Sequence, residues 1–237
     1  MDAIVLSRKD YKEFDELVSV YTKNFGKKYF LCRGTKKMVS KNSPSLIPGS
    51  FVSLITVEGK ELPSILKVHK QHSLTNIFND FYKLSSLQML LEIFESLMSE
   101  ELEDERIFNL LKDFLFTLEK INKEHILFAM DIFFFRLLEF LGFSLDFDTC
   151  SSCGKEFNSD ENALYLEKKG VFVCGGCYKK QQEKKAIIFS QDEYKKLPNI
   201  DLEVLIDRKK FHTFVLSYLR FYSEKNIYDW GMGLLAP

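Results

Sequence analysis

No stretch of this chain is apolar for long enough to cross a bilayer. The most apolar helical stretch, 126–143, is broken by Asp131, Arg136 and Glu139, so no membrane span is expected. Residues 1–22 carry acids and bases throughout and lack an apolar core, which argues against an export signal. A phosphate loop of the G-x-x-x-x-G-K type is absent, as is an H-E-x-x-H motif, so ATP use and hydrolysis have no support. The four histidines (His69, His72, His125, His212) are scattered and form no ligand set. There is no internal repeat. There is also no excess of either charge, since the formal net charge is -1, and taken whole that says nothing about nucleic acid.

What is present defines a folded chain. Hydrophobic residues make up 46% of the 237 positions, and 23 Phe with 10 Tyr exclude a disordered chain. The length allows one large domain or two to three small ones. Charge is unevenly spread. Residues 1–45 hold ten basic side chains against five acids, and residues 71–150 hold fifteen acids against six bases. Within 23–41 lie Lys23, Lys27, Lys28, Arg33, Lys36, Lys37 and Lys41 with no acid. Such a run is either a solvated face or a contact surface for an anionic partner.

The hydrophobic period divides the chain. Short alternating runs at 2–7, 15–21, 28–33, 51–57 and 62–68 read as strands, and Pro63 favours an edge position for the last. The polar, basic stretch 34–48 reads as a mobile loop. About five short strands in some 70 residues suit a small closed barrel. The oligonucleotide-binding (OB) barrel is the leading candidate and an SH3-like barrel the runner-up; the pattern alone does not separate them. From about Asn76 the period becomes helical. Amphipathic stripes cover 78–97 and 107–118, an acidic break lies at 98–105, and 126–141 is apolar on most sides and so central, with Gly142 as its C-cap. Ser190–Leu197 and 209–222 read as further helices. The resulting expectation is a multidomain α+β chain: an OB-fold barrel at 1–75, a helical bundle at 76–147, a metal module at 148–178, and a C-terminal helical segment at 179–237.

Five cysteines is an odd count, and four of them form two close pairs. Cys150-x2-Cys153 is followed after twenty residues by Cys174-x2-Cys177. Two such knuckles let four thiolates reach one ion, and with no export signal a metal is favoured over disulfides. Four thiolates leave no position for water, so the expected ion is a structural zinc; spacing also admits iron. Cys32 has no partner and is read as a buried strand residue.

Three segments resemble one family. In residues 3–37 a polar segment places Tyr11, Glu13, Asp15 and Leu17, a turn places Thr22 and Gly26, and Arg33-Gly34-Thr35-Lys36-Lys37 forms a small basic loop. Residues 133–154 place Arg136, Leu137, Leu138, Leu141, Gly142, Leu145, Cys150, Cys153 and Gly154, and VCGGC follows at 173–177. Together, in this order, they resemble the bacterial DNA repair protein RecO family across roughly residues 1–180. The ending YDWGMGLLAP departs from the family's basic helix and polar tail.

The resemblance implies an OB barrel, a helical middle and often a zinc module. It implies binding of single- and double-stranded DNA, annealing of complementary strands, and work with RecR to load RecA onto DNA coated by the single-strand-binding protein (SSB), whose tail is also contacted. It implies no catalysis and a cytoplasmic, nucleoid-associated place. On this basis Lys27, Lys28, Arg33, Lys36, Lys37 and Lys41 are expected to meet phosphates. Tyr29 points outward to stack a base while Phe30 is core. Lys112, Lys120, Arg136, Lys209 and Lys210 are candidates for an acidic tail, although Arg136 is also placed to pair with Asp131 or Glu139. Three other readings stay open: an RNA- or ribosome-associated zinc protein, a nuclease using Asp10, Glu13, Asp15 and Glu16, and a protein-docking adaptor.

Overall fold

A computed structural model describes residues 1–38, 40–72, 74–100, 102–157, 161–180 and 185–223. The C-terminal sequence that departs from the family lies outside these residues. Contacts divide the chain into two compact units, Met1–Ile126 and Leu127–Pro237.

In the first unit, β1 (Asp2–Asp10), β2 (Glu16–Thr22), β3 (Gly26–Cys32), β4 (Phe51–Val57) and β5 (Ser64–His72) close into a barrel of order β1-β2-β3-β5-β4. This OB-like order separates the two barrels that the strand pattern left open. Alternate residues point inward, and Ala3, Val5, Val18, Val20, Phe30, Cys32, Val52 and Leu54 fill the centre. On β5 the inward pair is Ile65 and Val68, three apart, because the register with β4 shifts there. A bulge at Leu66 inserts the extra residue. Pro63 does not mark an edge. It stands just before β5, its carbonyl accepts from Leu31 N–H (2.9 Å), and β5 pairs on both sides. Cys32 is buried in the barrel, and burial pushes its thiol up to about 11.

The helices that read as one bundle fall into both units. Residues 76–97 are not continuous: α1 (Thr75–Phe78) stops, and α2 (Phe81–Leu97) restarts where the Asp80 carboxylate accepts the backbone N–H of Tyr82 and Lys83. The helix α3 (Glu105–Lys120) begins likewise at Asp104. These helices pack on the barrel. Tyr21 meets Phe94 edge to face at 5.2 Å between centroids, and Phe51 meets Phe108 at 6.1 Å. The unit boundary falls in the first turns of α4 (Lys123–Phe140), which ends as expected in a left-handed Gly142, with Phe143 N–H reaching back to the Leu138 carbonyl.

In the second unit, β6 (Ala163–Leu166) pairs with β7 (Val171–Cys174) and with β8 (Ala186–Phe189). The sequence reading missed β8, which is only four residues long. Helices α5 (Gly175–Lys179), α6 (Gln191–Lys196) and α7 (Arg208–Tyr222) complete the unit. Its core is an aromatic lattice in which Phe135, Tyr165, Phe172, Phe189, Phe211 and Tyr218 are all buried around Phe214. Buried Asp131 on α4 and His212 on α7 add a 2.8 Å hydrogen bond. Arg136 pairs with Glu139 at 2.8 Å and donates to the Pro198 and Ile200 carbonyls, so of its two expected partners Asp131 is engaged elsewhere.

A close backbone approach in the first unit requires glycine at Gly26. Its φ is +62°, and a Cβ there would sit 2.2 Å from the Leu102 carbonyl oxygen. Gly26→Ala is expected to destabilise the first unit by about 2 kcal/mol. An unchanged urea midpoint would contradict that placement.

Candidate nucleic-acid interface and metal centre

The loop between β3 and β4 is fixed to the barrel, although its composition reads as mobile. Gly34 adopts the left-handed conformation, Thr35 Oγ1 donates to the Cys32 carbonyl (3.1 Å), and Lys37 N–H donates to the Gly34 carbonyl (3.1 Å). Asn42 clamps the far side. Its Nδ2 donates to the Leu66 carbonyl (3.1 Å), and its Oδ1 accepts Val68 N–H (3.2 Å). The side-chain amide thus takes the place of a strand neighbour beside the bulge. Arg8 adds hydrogen bonds to the Ser43 carbonyl and hydroxyl and pairs with Glu16.

Between this loop and β5 lies an open groove of about 510 Å³, lined by Arg33, Gly34, Lys37, Ser40, Lys41, Asn42, Leu66, Lys67 and Val68. Three expected phosphate contacts, Arg33, Lys37 and Lys41, are brought together here. Lys67 and exposed Leu66 join them, and sequence reasoning missed both. Lys67 lies in a segment read as strand, but the bulge that sets its direction leaves no mark in the alternation.

The other expected contacts are placed differently. Lys27 is buried, and its ammonium donates to the carbonyls of Glu95 (3.0 Å) and Met98. It holds the end of α2 and is not available to a phosphate. Tyr29 does face away from the barrel core and Phe30 is in it, but Tyr29 is half-buried with Lys27 6.0 Å from its ring. Burial, followed by Glu95 and Glu100, raises its phenol, so this face of β3 turns toward the acidic end of α2. Lys28 is half-buried on the same strand face as Phe30 and Cys32. Lys36 spans to Asp10 (2.8 Å). That contact also accounts for part of the acidic cluster considered for nuclease chemistry. Asp10 holds Lys36, Asp15 accepts Gly34 N–H (2.8 Å), and Glu16 holds Arg8. Exposed Tyr11 and Phe14 lie between these acids.

In the second unit the four cysteines converge. The Sγ atoms of Cys150, Cys153, Cys174 and Cys177 all lie within 4.8 Å of one another, with Cys153 and Cys174 4.0 Å apart. Tetrahedral bonds of about 2.3 Å would set the sulfurs ~3.8 Å apart, so the set fits one metal ion. The first knuckle is tied to β7 by Ser151 N–H on the Phe172 carbonyl (3.1 Å), and Cys174 immediately precedes α5, which carries Cys177. Burial raises the Cys150 thiol, but the backbone N–H groups of Cys174, Ser152 and Cys153 outweigh it and bring it to about 6. Such amide donors orient a thiolate and stabilise its charge.

Comparison with known proteins gives the fold a family. Residues 1–73 match the family model described as Recombination protein O N terminal, and residues 79–191 match Recombination protein O C terminal. The chain is 30% identical over 183 residues to the DNA repair protein RecO of Clostridium novyi, covering 75% of this chain and 68% of that one. It is 25% identical over 237 residues to the DNA repair protein RecO of Desulforamulus reducens, covering 96% and 90%.

The chain belongs to the RecO family.

Its general role is therefore in DNA repair and recombination, without catalysis. No helix among the described residues is long and apolar enough to cross a membrane. The candidates for an acidic tail are dispersed in this RecO-family chain. Lys112 lies 5.8 Å from the Phe51 ring and Lys120 is exposed in the first unit, while in the second unit Lys210 is held by Glu193 at 2.7 Å and Lys209 is exposed.

Because the Lys27 ammonium is engaged inside the unit, Lys27→Ala is expected to lower stability by about 1–3 kcal/mol through unpaired carbonyls. Binding of the folded variant to DNA should keep its salt dependence. A reduced salt slope at unchanged stability would return Lys27 to the interface.

Proposed function

We propose that this chain is a recombination mediator that binds single- and double-stranded DNA through its barrel, anneals complementary strands, and helps RecR load RecA onto SSB-coated DNA. The observation that carries the reading is the groove where Arg33, Lys37, Lys41 and Lys67 converge on an OB-like barrel. Four cations along one groove match a phosphate backbone, and each neutralised phosphate releases counterions. Screening two backbones lets base pairing drive annealing without covalent chemistry. Within this reading Arg33, Lys37 and Lys41 make the main contacts, Lys28 and Lys36 lie at their margin, and the acidic helical surface is left for protein partners. The working divisions are 1–75, 76–147, 148–178 and 179–237, and the setting is the cytoplasm, on the nucleoid.

Cys150, Cys153, Cys174 and Cys177 would hold a structural zinc. The chemistry of the donor set supports this, since four thiolates favour zinc and leave no open position. When bound, the ion cross-links two knuckles whose four-residue strands supply little core of their own.

Lys37→Ala with Lys41→Ala is the cleaner test of the groove, because changing Lys36 also breaks its contact with Asp10. Fluorescence anisotropy with labelled single-stranded DNA at several salt concentrations should show weaker binding. The slope of log K against log salt should fall by about 1.4, at roughly 0.7 per lost phosphate contact. An unchanged slope would contradict the assignment. For the metal, elemental analysis should find about one zinc per chain, and Cys174→Ser should lose it together with a lower melting temperature. Absence of metal from protein purified without chelators would count against the site.

A further inference from the structure

Two aromatic rings stand in water beside the groove without a core to fill. Phe14 is 45% exposed and Tyr11 is 40% exposed, both in the β1–β2 loop. Each has an ammonium within cation–π range: Lys37 Nζ lies 5.5 Å from the Phe14 centroid, and Lys12 Nζ lies 5.3 Å from the Tyr11 centroid. The loop is fixed rather than loosely presented. The N–H groups of Tyr11 and Lys12 both point to the Asp15 carbonyl (3.1 and 3.4 Å). The loop is then latched to the basic loop. Asp15 accepts Gly34 N–H, Lys36 N–H donates to the Phe14 carbonyl (3.2 Å), and Lys36 pairs with Asp10. Lys37 belongs to both features, since it also lines the groove.

We infer that Tyr11 and Phe14 form a base-stacking platform for single-stranded nucleic acid, held by the latch at the edge of the basic groove. This rests on the nucleic-acid reading above and takes over the stacking role expected of Tyr29. An exposed ring offers a face to any unpaired base, and the neighbouring ammonium reaches the phosphate of the same nucleotide. In a duplex the bases are already stacked on one another, so the rings find no face to meet. The platform therefore discriminates single strands from duplex, while the groove charges serve both. An apolar protein segment would have no use for an ammonium beside each ring, which favours nucleic acid as the occupant.

The test compares Tyr11→Ala with Phe14→Ala, as a double variant, against the aromatic exchange Tyr11→Phe with Phe14→Tyr. Anisotropy is read on a labelled single strand of mixed sequence and on a blunt duplex of equal length, after thermal melting shows each variant folded. The expected result is a loss of about tenfold or more on the single strand, with the salt slope kept and the duplex affinity within about twofold. The aromatic exchange keeps single-strand affinity. Unchanged single-strand affinity in the alanine variant, with steep salt dependence intact, overturns the platform and leaves the groove standing. Equal losses on both DNAs overturn it as well, as would loss of a protein partner with DNA binding unaltered. Salt-insensitive binding by the unaltered protein would remove the groove and the platform together.

Discussion

In the first unit, strand β3 pairs with β5 and not with β4. Leu31 lies opposite Ser64, while β4 sits between β5 and β1. The chain leaving Cys32 therefore cannot turn back into the next strand and must cross to reach Phe51. Barrel closure demands this connection, and a crossing chain needs partners for its own backbone groups. Arg8 serves the Ser43 carbonyl of the crossing chain and Thr35 the Cys32 carbonyl where it leaves β3, while Asn42 lends its side-chain amide to the Leu66 and Val68 backbone of β5. A long loop forced across a rigid wall and pinned at both sides becomes a fixed surface. Arg33, Lys37 and Lys41 lie on it, and the bulge at Leu66 completes the facing wall.

The second unit meets a different constraint. Its strands are four residues long, and a three-stranded sheet of that size buries little by itself. Two devices compensate. Rings from α4, α7, α6 and the sheet interlock through Phe135, Phe172, Tyr194 and Phe214, placing large apolar areas where the strands cannot. At the other side of the sheet, Cys150 and Cys174 are packed with Leu164, Leu166 and Val173, so two thiols of the four-cysteine cluster are part of the core. The phenylalanines of this lattice thus compensate for small strands.

Much of this was legible in the sequence, and the failures have physical causes. The five barrel strands and the cysteine pairs follow from period and spacing, because both are local. Lys27, Lys28 and Lys37 look alike as residues. Whether a lysine is buried under Glu95 and Met98 or open in a groove depends on what packs over the strand, which is a long-range fact. Asp80 interrupts a helical stripe that periodicity carried straight through. The strand β8 is too short for alternation to register. Gly34 and Asn42 made the loop look loose, although the same residues hold it. Tyr11 and Phe14 stand in a polar segment, where exposed rings draw no notice until their neighbours are known.

The proposed reading places DNA in the groove that Arg33, Lys37 and Lys41 line opposite β5. Hydrogen–deuterium exchange of the full chain, with and without saturating single-stranded DNA, reads this directly. Protection is predicted at 33–38, 40–42 and 66–68, with the buried end of β3 at Gly26 and Lys27 unaffected. Protection confined to the second unit, with those segments exchanging as in the absence of DNA, would contradict it.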